Sequence, residues 1–431
     1  MKRFLGIFGL LCCLLAAREP VGLPPELGDY KLDPAPEVRG GLLLEKGDLL
    51  AICGDSITEQ KQYSVLVETY LRVAYPELEL DVRQYGWSGE RAEGFVRRQE
   101  NDVLRFEPDV ATTCYGMNDF RYVPFDEKIA ESYRVAQTQC VRAFKEAGAE
   151  VVLASSGIID SVPHWVKSAQ GTKKDLNLAL SQFRNVALGV AVAEGVRFAD
   201  VYRPMLVADW VAKKKYGEGF KVSGKDGVHP GWAGQTIMAY AILKGLGCDG
   251  EMGAVVYDVQ SGQARGEKGH EVLEAKEGRI RVRSGRMPCA PWVGDATKDG
   301  SISAGRALVP FDEELNRFVL RVEGGEAARY EVSWGDQKRV FTGEALAEGV
   351  NLMAAFERNP FTGPFQQVWE KVLAKQAFET DQIKKQVHGE AGKKDMEGTF
   401  ARTEKVREGL VREIGEKLRP VEHVLVVRAV E

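Results

Sequence analysis

From residue 47 to about 250, short apolar runs alternate with amphipathic stretches. The runs at 49–53, 78–83, 110–114, 150–154 and 196–200 read as strands. The stretches near 60–75, 90–105, 127–147, 174–194 and 231–246 carry apolar residues at helical spacing. Strand and helix alternating in this way predict an α/β unit, a parallel sheet wrapped by helices. In such a sheet, ligands bind beyond the carboxyl ends of the strands. Motifs at those ends therefore carry most of the functional information.

After Gly250 the pattern changes to shorter strands, at 255–259, 279–283, 317–322, 330–334, 338–342 and 422–430. Gly335-Asp336 supplies a tight hairpin turn between two of them. This predicts a small β-domain over 251–431, with a helical insertion at about 352–418. The insertion reads as two charged helices, roughly 364–388 and 395–418, joined around Gly389 and Gly392. On the second, Met396, Phe400, Val406, Leu410, Ile414 and Leu418 form a stripe expected to pack on the first helix or on the β-domain.

The amino terminus is set apart. Lys2 and Arg3 precede a continuous apolar run over 4–17, and charged, Pro-rich sequence follows over 18–46. Residues 1–17 read as a secretory signal peptide cut after Ala16 or Ala17, so the protein is expected to be exported, periplasmic or secreted. Cys12 and Cys13 invite a lipoprotein reading, but Leu11 and Cys12 stand where a lipobox carries a small residue. No apolar run reaches the roughly 18 residues that would span a bilayer.

Composition narrows the classes. The chain has 431 residues, 58 Lys plus Arg against 63 Asp plus Glu, and a net charge of −5. A strongly basic nucleic-acid binder is excluded, as is a disordered acidic chain, since 44% of residues are hydrophobic. Beyond the signal, Cys53, Cys114, Cys140, Cys248 and Cys289 are odd in number and irregularly spaced. They read as buried thiols, with a single disulfide among the last three left open.

The chemistry lies at the predicted strand ends. The first strand runs into Gly54-Asp55-Ser56-Ile57-Thr58, which exposes a hydroxyl at a helix start, although a serine in such a turn, taken alone, is more often a helix cap. The second leads into Gly86-Trp87-Ser88-Gly89-Glu90, and Gly89 could lend a free N–H or form a plain turn. The third ends in Tyr115-Gly116-Met117-Asn118-Asp119, which offers the Asn118 amide or a turn-forming asparagine. Further on, Asp226-Gly227-Val228-His229-Pro230 places an aspartate where it can orient an imidazole as a general base.

Elsewhere, Asp295, Thr297, Asp299 and Gly300 imitate the start of a calcium loop, but Arg306 stands at the twelfth position, so a surface turn is expected. Lys213, Lys214 and Lys215 read as a solvated helix end. His164, His270, His388 and His423 lack ligand spacing and read as surface or packing residues. Trp87, Tyr115, Phe120, Tyr122 and Trp165 lie in or near the motif loops, as core residues or as a platform for sugar rings.

Taken in order, these blocks resemble the SGNH or GDSL hydrolases over residues 47–250. Ser56 matches the nucleophile of the first block, Gly89 the glycine of the second and Asn118 the asparagine of the third. Asp226 and His229 match the pair of the fifth, while Tyr85 stands where many members carry asparagine. The resemblance implies a flavodoxin-like three-layer sandwich with a five-stranded parallel sheet. It also implies a Ser56–His229–Asp226 triad, an oxyanion hole of Ser56, Gly89 and Asn118, and no cofactor. The expected activity is hydrolysis of short acyl esters of small molecules or carbohydrates, acetyl esters first. Two alternatives stand beside it: a lipid or aryl esterase, and a non-catalytic carbohydrate-binding protein. Neither a nucleic acid nor an integral membrane span is expected.

Overall fold

The computed structural model describes residues 22–292 and 294–430, so the proposed signal segment lies outside the described residues. Five parallel strands form the first sheet: β1 (Leu49–Gly54), β2 (Asp81–Gly86), β3 (Val110–Cys114), β4 (Glu150–Ala154) and β5 (Arg197–Ala199). Their order is β2-β1-β3-β4-β5, a doubly wound α/β sheet. The chain reverses direction of travel between β1 and β3, where Gly54 lies in register with Cys114. This switch point is where a crevice opens in such sheets.

Helices cover both faces. The first motif forms only a short turn of helix, α1 (Ser56–Glu59), followed by α2 (Tyr63–Ala74). Next come α3 (Ala92–Asp102), α4 (Glu127–Glu146), α5 (Lys173–Glu194), α6 (Tyr202–Tyr216) and α7 (Trp232–Leu246). Helices α3, α4 and α5 pack side by side on one face, and α2 packs with α7 on the other. α5 is long and apolar enough to cross a membrane, but here it is a core helix, burying Leu176, Leu180, Phe183, Ala187 and Ala191.

The remaining strands build two sheets. They are β6 (Glu251–Asp258), β7 (Ala264–Gly266), β8 (His270–Lys276), β9 (Arg279–Ser284), β10 (Arg317–Glu323), β11 (Arg329–Trp334), β12 (Gln337–Thr342), β13 (Val350–Asn351) and β14 (Val421–Val430). One sheet runs β13-β10-β6-β7 and the other β12-β11-β14-β9-β8. Phe318 and Trp334 meet between them. His270 and His423 are buried in the same core, bridged by the Ser284 hydroxyl at 2.7 and 2.9 Å. Trp334 donates its indole N–H to His423. Burial pushes both imidazoles down, to about 4 and about 3, so they stay neutral at ordinary pH.

The two charged helices are Thr362–Asp381 and Met396–Gly415, and they pack on each other as expected. The hairpin also packs on the α/β unit, with its first arm against α2 and β2. Phe400 meets Phe106 of that unit at 5.6 Å. The buried stripe also differs: Val406 and Met396 are exposed, while Thr403 and Arg407 are buried. A further correction concerns Lys213, which is no solvated helix end. It joins Lys173 in an ion cluster with Asp160 and Asp209. The five cysteines among the described residues are free and buried, so no disulfide forms among Cys140, Cys248 and Cys289.

Candidate active site

At the carboxyl end of β1, Asp55 rather than Ser56 caps α1, its Oδ1 accepting the Ile57 N–H at 2.9 Å. The Ser56 side chain is therefore free of capping, and its Oγ lies 2.8 Å from Nε2 of His229. The other ring nitrogen, Nδ1, lies 2.7 Å from Oδ2 of Asp226. Oδ1 of Asp226 accepts the Val228 and His229 N–H groups at 2.9 and 2.8 Å. Burial raises the Asp226 carboxyl, but the two amides and the imidazole outweigh it and hold it below its ordinary value. Asp226 thus stays ionised and fixes the ring with its Nε2 toward Ser56.

The loop carrying this pair is shaped by its glycines. Gly224 has φ +78, and a Cβ there would fall 1.9 Å from the His229 carbonyl oxygen. The loop is also tied down at Ser223, whose N–H donates to Asp160 at 2.7 Å. Asp299, from the calcium-like segment, accepts the Lys221 N–H and its carbonyl takes the Ala233 N–H, so that turn braces the loop. Among the described residues no group of three or more His, Cys, Asp or Glu could hold a metal.

Gly89 sits in the turn after β2 with φ +74, and no described residue accepts its N–H or that of Ser56. Asn118, half-buried beyond β3, donates from Nδ2 to the Glu90 carbonyl at 3.1 Å. Its second amide hydrogen is only loosely engaged, with Asp55 Oδ2 at 3.3 Å.

Several neighbours went unread in the sequence. Burial pushes Asp55 and Asp119 up to about 7. Asp119 accepts the Ala92 and Gly116 N–H groups at 3.0 Å, tying the second motif loop to the third. Glu90 pairs with Arg98 at 2.7 Å and takes the Tyr115 hydroxyl at 2.9 Å. All three acids lie within motif blocks, but nothing in their spacing announces these partners. Of the aromatics, Tyr115, Phe120 and Tyr122 are core residues. Trp165 is not: it is 43% exposed and stacks on His229 at 6.1 Å and 26°.

Comparison with known proteins places these residues in a family. Residues 52–237 match the sequence profile of the GDSL-like lipase/acylhydrolase family. An acetylxylan esterase from Geobacillus stearothermophilus is 26% identical over 217 residues, which is 48% of this chain and 94% of that protein. A gut microbial diltiazem-metabolizing enzyme shares the fold over 91% of this chain and 100% of its own, with a TM-score of 0.71 at 20% identity. The arrangement of α/β unit, β-sheets and helical hairpin thus recurs in a solved structure. Residues 52–237 thus resemble a GDSL-like lipase/acylhydrolase domain, and the chain is an ester-bond hydrolase.

Proposed function

We propose that the protein is an exported serine esterase that removes short acyl groups, acetyl above all, from carbohydrate hydroxyls. The observation that carries the reading is the hydrogen-bond chain from Asp226 through His229 to Ser56 at the open end of the sheet. A serine hydroxyl is a weak nucleophile at neutral pH and needs a base within hydrogen-bond reach. His229 takes the Ser56 proton as Oγ attacks the ester carbonyl. The resulting oxyanion is received by the free N–H groups of Ser56 and Gly89 and by the loosely held hydrogen of Asn118. His229 then returns the proton to the departing sugar oxygen, leaving an acyl-enzyme. Water, deprotonated by the same imidazole, releases the acid and restores Ser56.

Two observations support a carbohydrate ester. Trp165 presents an exposed ring beside His229, where a sugar face can stack. The related Geobacillus protein is named an acetylxylan esterase. Export rests on the apolar run over 4–17 and is tested by N-terminal sequencing of the recovered protein.

The test is acetate release from acetylated oligosaccharides, beside a p-nitrophenyl ester series. Acetate should be the preferred acyl group. Preference for chains of eight carbons or more would overturn the carbohydrate reading in favour of a lipid esterase. Failure of the folded protein to react with a fluorophosphonate would favour a binding module. Asn118→Ala should still label but turn over about 10²–10³-fold more slowly, the loss typical of one oxyanion donor. Trp165→Ala should raise KM for acetylated oligosaccharides several-fold, because it removes the exposed ring on which a sugar face can stack. It should leave KM for p-nitrophenyl acetate unchanged, and an equal loss on both substrates would remove the platform.

A further inference from the structure

The loop that carries Gly89 is held from outside the α/β unit. Ser88 donates both its N–H and its hydroxyl to Oε2 of Glu59, at 2.5 and 2.6 Å. Glu59 ends the same short helix that begins at Ser56. One carboxylate therefore links the nucleophile's helix to the loop presenting Gly89. The strand behind that loop has no slack, because a Cβ on Gly86 would lie 2.2 Å from the Glu59 nitrogen.

Glu59 is itself gripped by Lys384, whose Nζ lies 2.7 and 2.8 Å from the two carboxylate oxygens. Lys384 sits where the first hairpin arm widens into a π-helical turn, Gln382–Val387. Such turns are rare and re-aim the side chains they carry. The same turn meets the loop a second time. The Lys384 ammonium is 5.2 Å from the centre of the Trp87 ring, and His388 meets that ring edge-on at 5.2 Å. His388 is anchored in turn on Asp102, at 2.9 Å from both carboxylate oxygens. A segment more than 290 residues away in sequence thus contacts Glu59 and Trp87, the two residues that flank Ser88-Gly89 in space and in sequence.

We propose that Lys384 is a positioning residue for the active site: through Glu59 it fixes Ser88 and so aims the Gly89 N–H at the oxyanion. The inference rests on the reading of Gly89 as an oxyanion donor. It gives the C-terminal hairpin a role in turnover. An oxyanion donor stabilises only the transition state, so its misplacement lowers kcat and leaves ground-state binding alone.

Lys384→Met should lower kcat for p-nitrophenyl acetate about 10- to 100-fold, as expected for a displacement near 1 Å at the reacting centre. KM should stay within about twofold, and the rate of fluorophosphonate labelling should fall by the same factor as kcat. Lys384→Arg, which keeps the cation, should recover most of the loss. Glu59→Gln should reproduce the defect, and the double variant should be no worse than the poorer single one. Wild-type kcat in folded Lys384→Met would overturn the inference, as would additive losses in the double variant. So would a kcat loss that merely follows a loss of folded protein in melting curves. Ser56→Ala, run in the same series, separates the two claims. If it is inactive while Lys384→Met is normal, only the positioning role fails; if it is active, the site reading fails as well.

Discussion

Ser56→Ala is expected to abolish ester hydrolysis, with kcat lower by about 10⁴–10⁶-fold and the melting midpoint unchanged. The Ser56 hydroxyl makes one side-chain hydrogen bond, to a half-buried imidazole, and α1 is capped by Asp55, so folding does not depend on it. His229→Ala should fall to a similar level, and the double variant should be no worse, because both groups serve one proton transfer. Asp226→Asn tests the orientation argument separately. The carboxylate accepts three hydrogen bonds from its own loop, two from backbone N–H groups and one from the ring. An amide would keep one acceptor oxygen but lose the charge that favours the imidazolium, so activity should be nearly lost with the fold intact. Steady-state kinetics with melting curves on the four proteins decide the matter. Turnover near wild type in His229→Ala would mean that another base serves Ser56.

What the sequence disclosed, it disclosed through local rules. Strands β1, β3 and β4 and helices α4, α5 and α7 are legible because hydrophobic periodicity is a local property. β2 is displaced three residues from its expected place, since Asp81, Arg83 and Gln84 interrupt the apolar pattern. They do so because their partners lie far away, on the helical hairpin. β7 and β8 have so little apolar alternation that pairing with neighbouring strands alone defines them. At the site, Ser56, Gly89 and Asn118 stand out because each lies just beyond a strand end in a short motif, and Asp226 and His229 because they stand three apart in one loop. Glu59 and Lys384 do not, since what distinguishes them is proximity created by folding, and for Trp165 folding alone decides between core residue and exposed platform. Lys213 misled for the same reason: three successive lysines look solvated until Asp160 and Asp209 arrive from elsewhere in the chain.

Glu379→Ala is expected to destabilise the protein by about 3–5 kcal/mol, although it lies away from the site. The reason is visible along the first hairpin arm. Its buried stripe begins apolar, with Phe365, Val368, Trp369 and Val372, and continues at the same helical spacing as Lys375, Gln376 and Glu379. A polar face normally points to water, but this one is pressed against β2, an edge strand of the sheet. An uncovered edge leaves backbone groups unpaired. Here hairpin side chains serve them: Glu379 Oε2 accepts the Gln84 N–H at 3.1 Å, and Lys375 and Arg407 donate to the Val82 carbonyl at 2.5 and 2.9 Å. Glu379 Oε1 also accepts from Lys375 at 2.8 Å and from Arg407 at 2.7 Å. Removing it leaves Lys375 with Glu68 and Arg407 with Asp81 as their remaining carboxylates, and one strand N–H without an acceptor, whereas an exposed pair would contribute only about 0–1 kcal/mol. Burial raises the Glu379 carboxyl, but Lys375, Arg407 and Arg83 outweigh this and hold it below 4.5. Its contribution is therefore full above the unfolded value and is lost as pH falls through the lower folded one. The gap between wild type and variant should be constant near neutrality and close in strong acid. Urea unfolding at several pH values measures it, and faster amide exchange at Gln84 should accompany it. A gap below about 1 kcal/mol at pH 7 would mean that the hairpin is held by its apolar half alone, with the charged half contributing no more than surface pairs do.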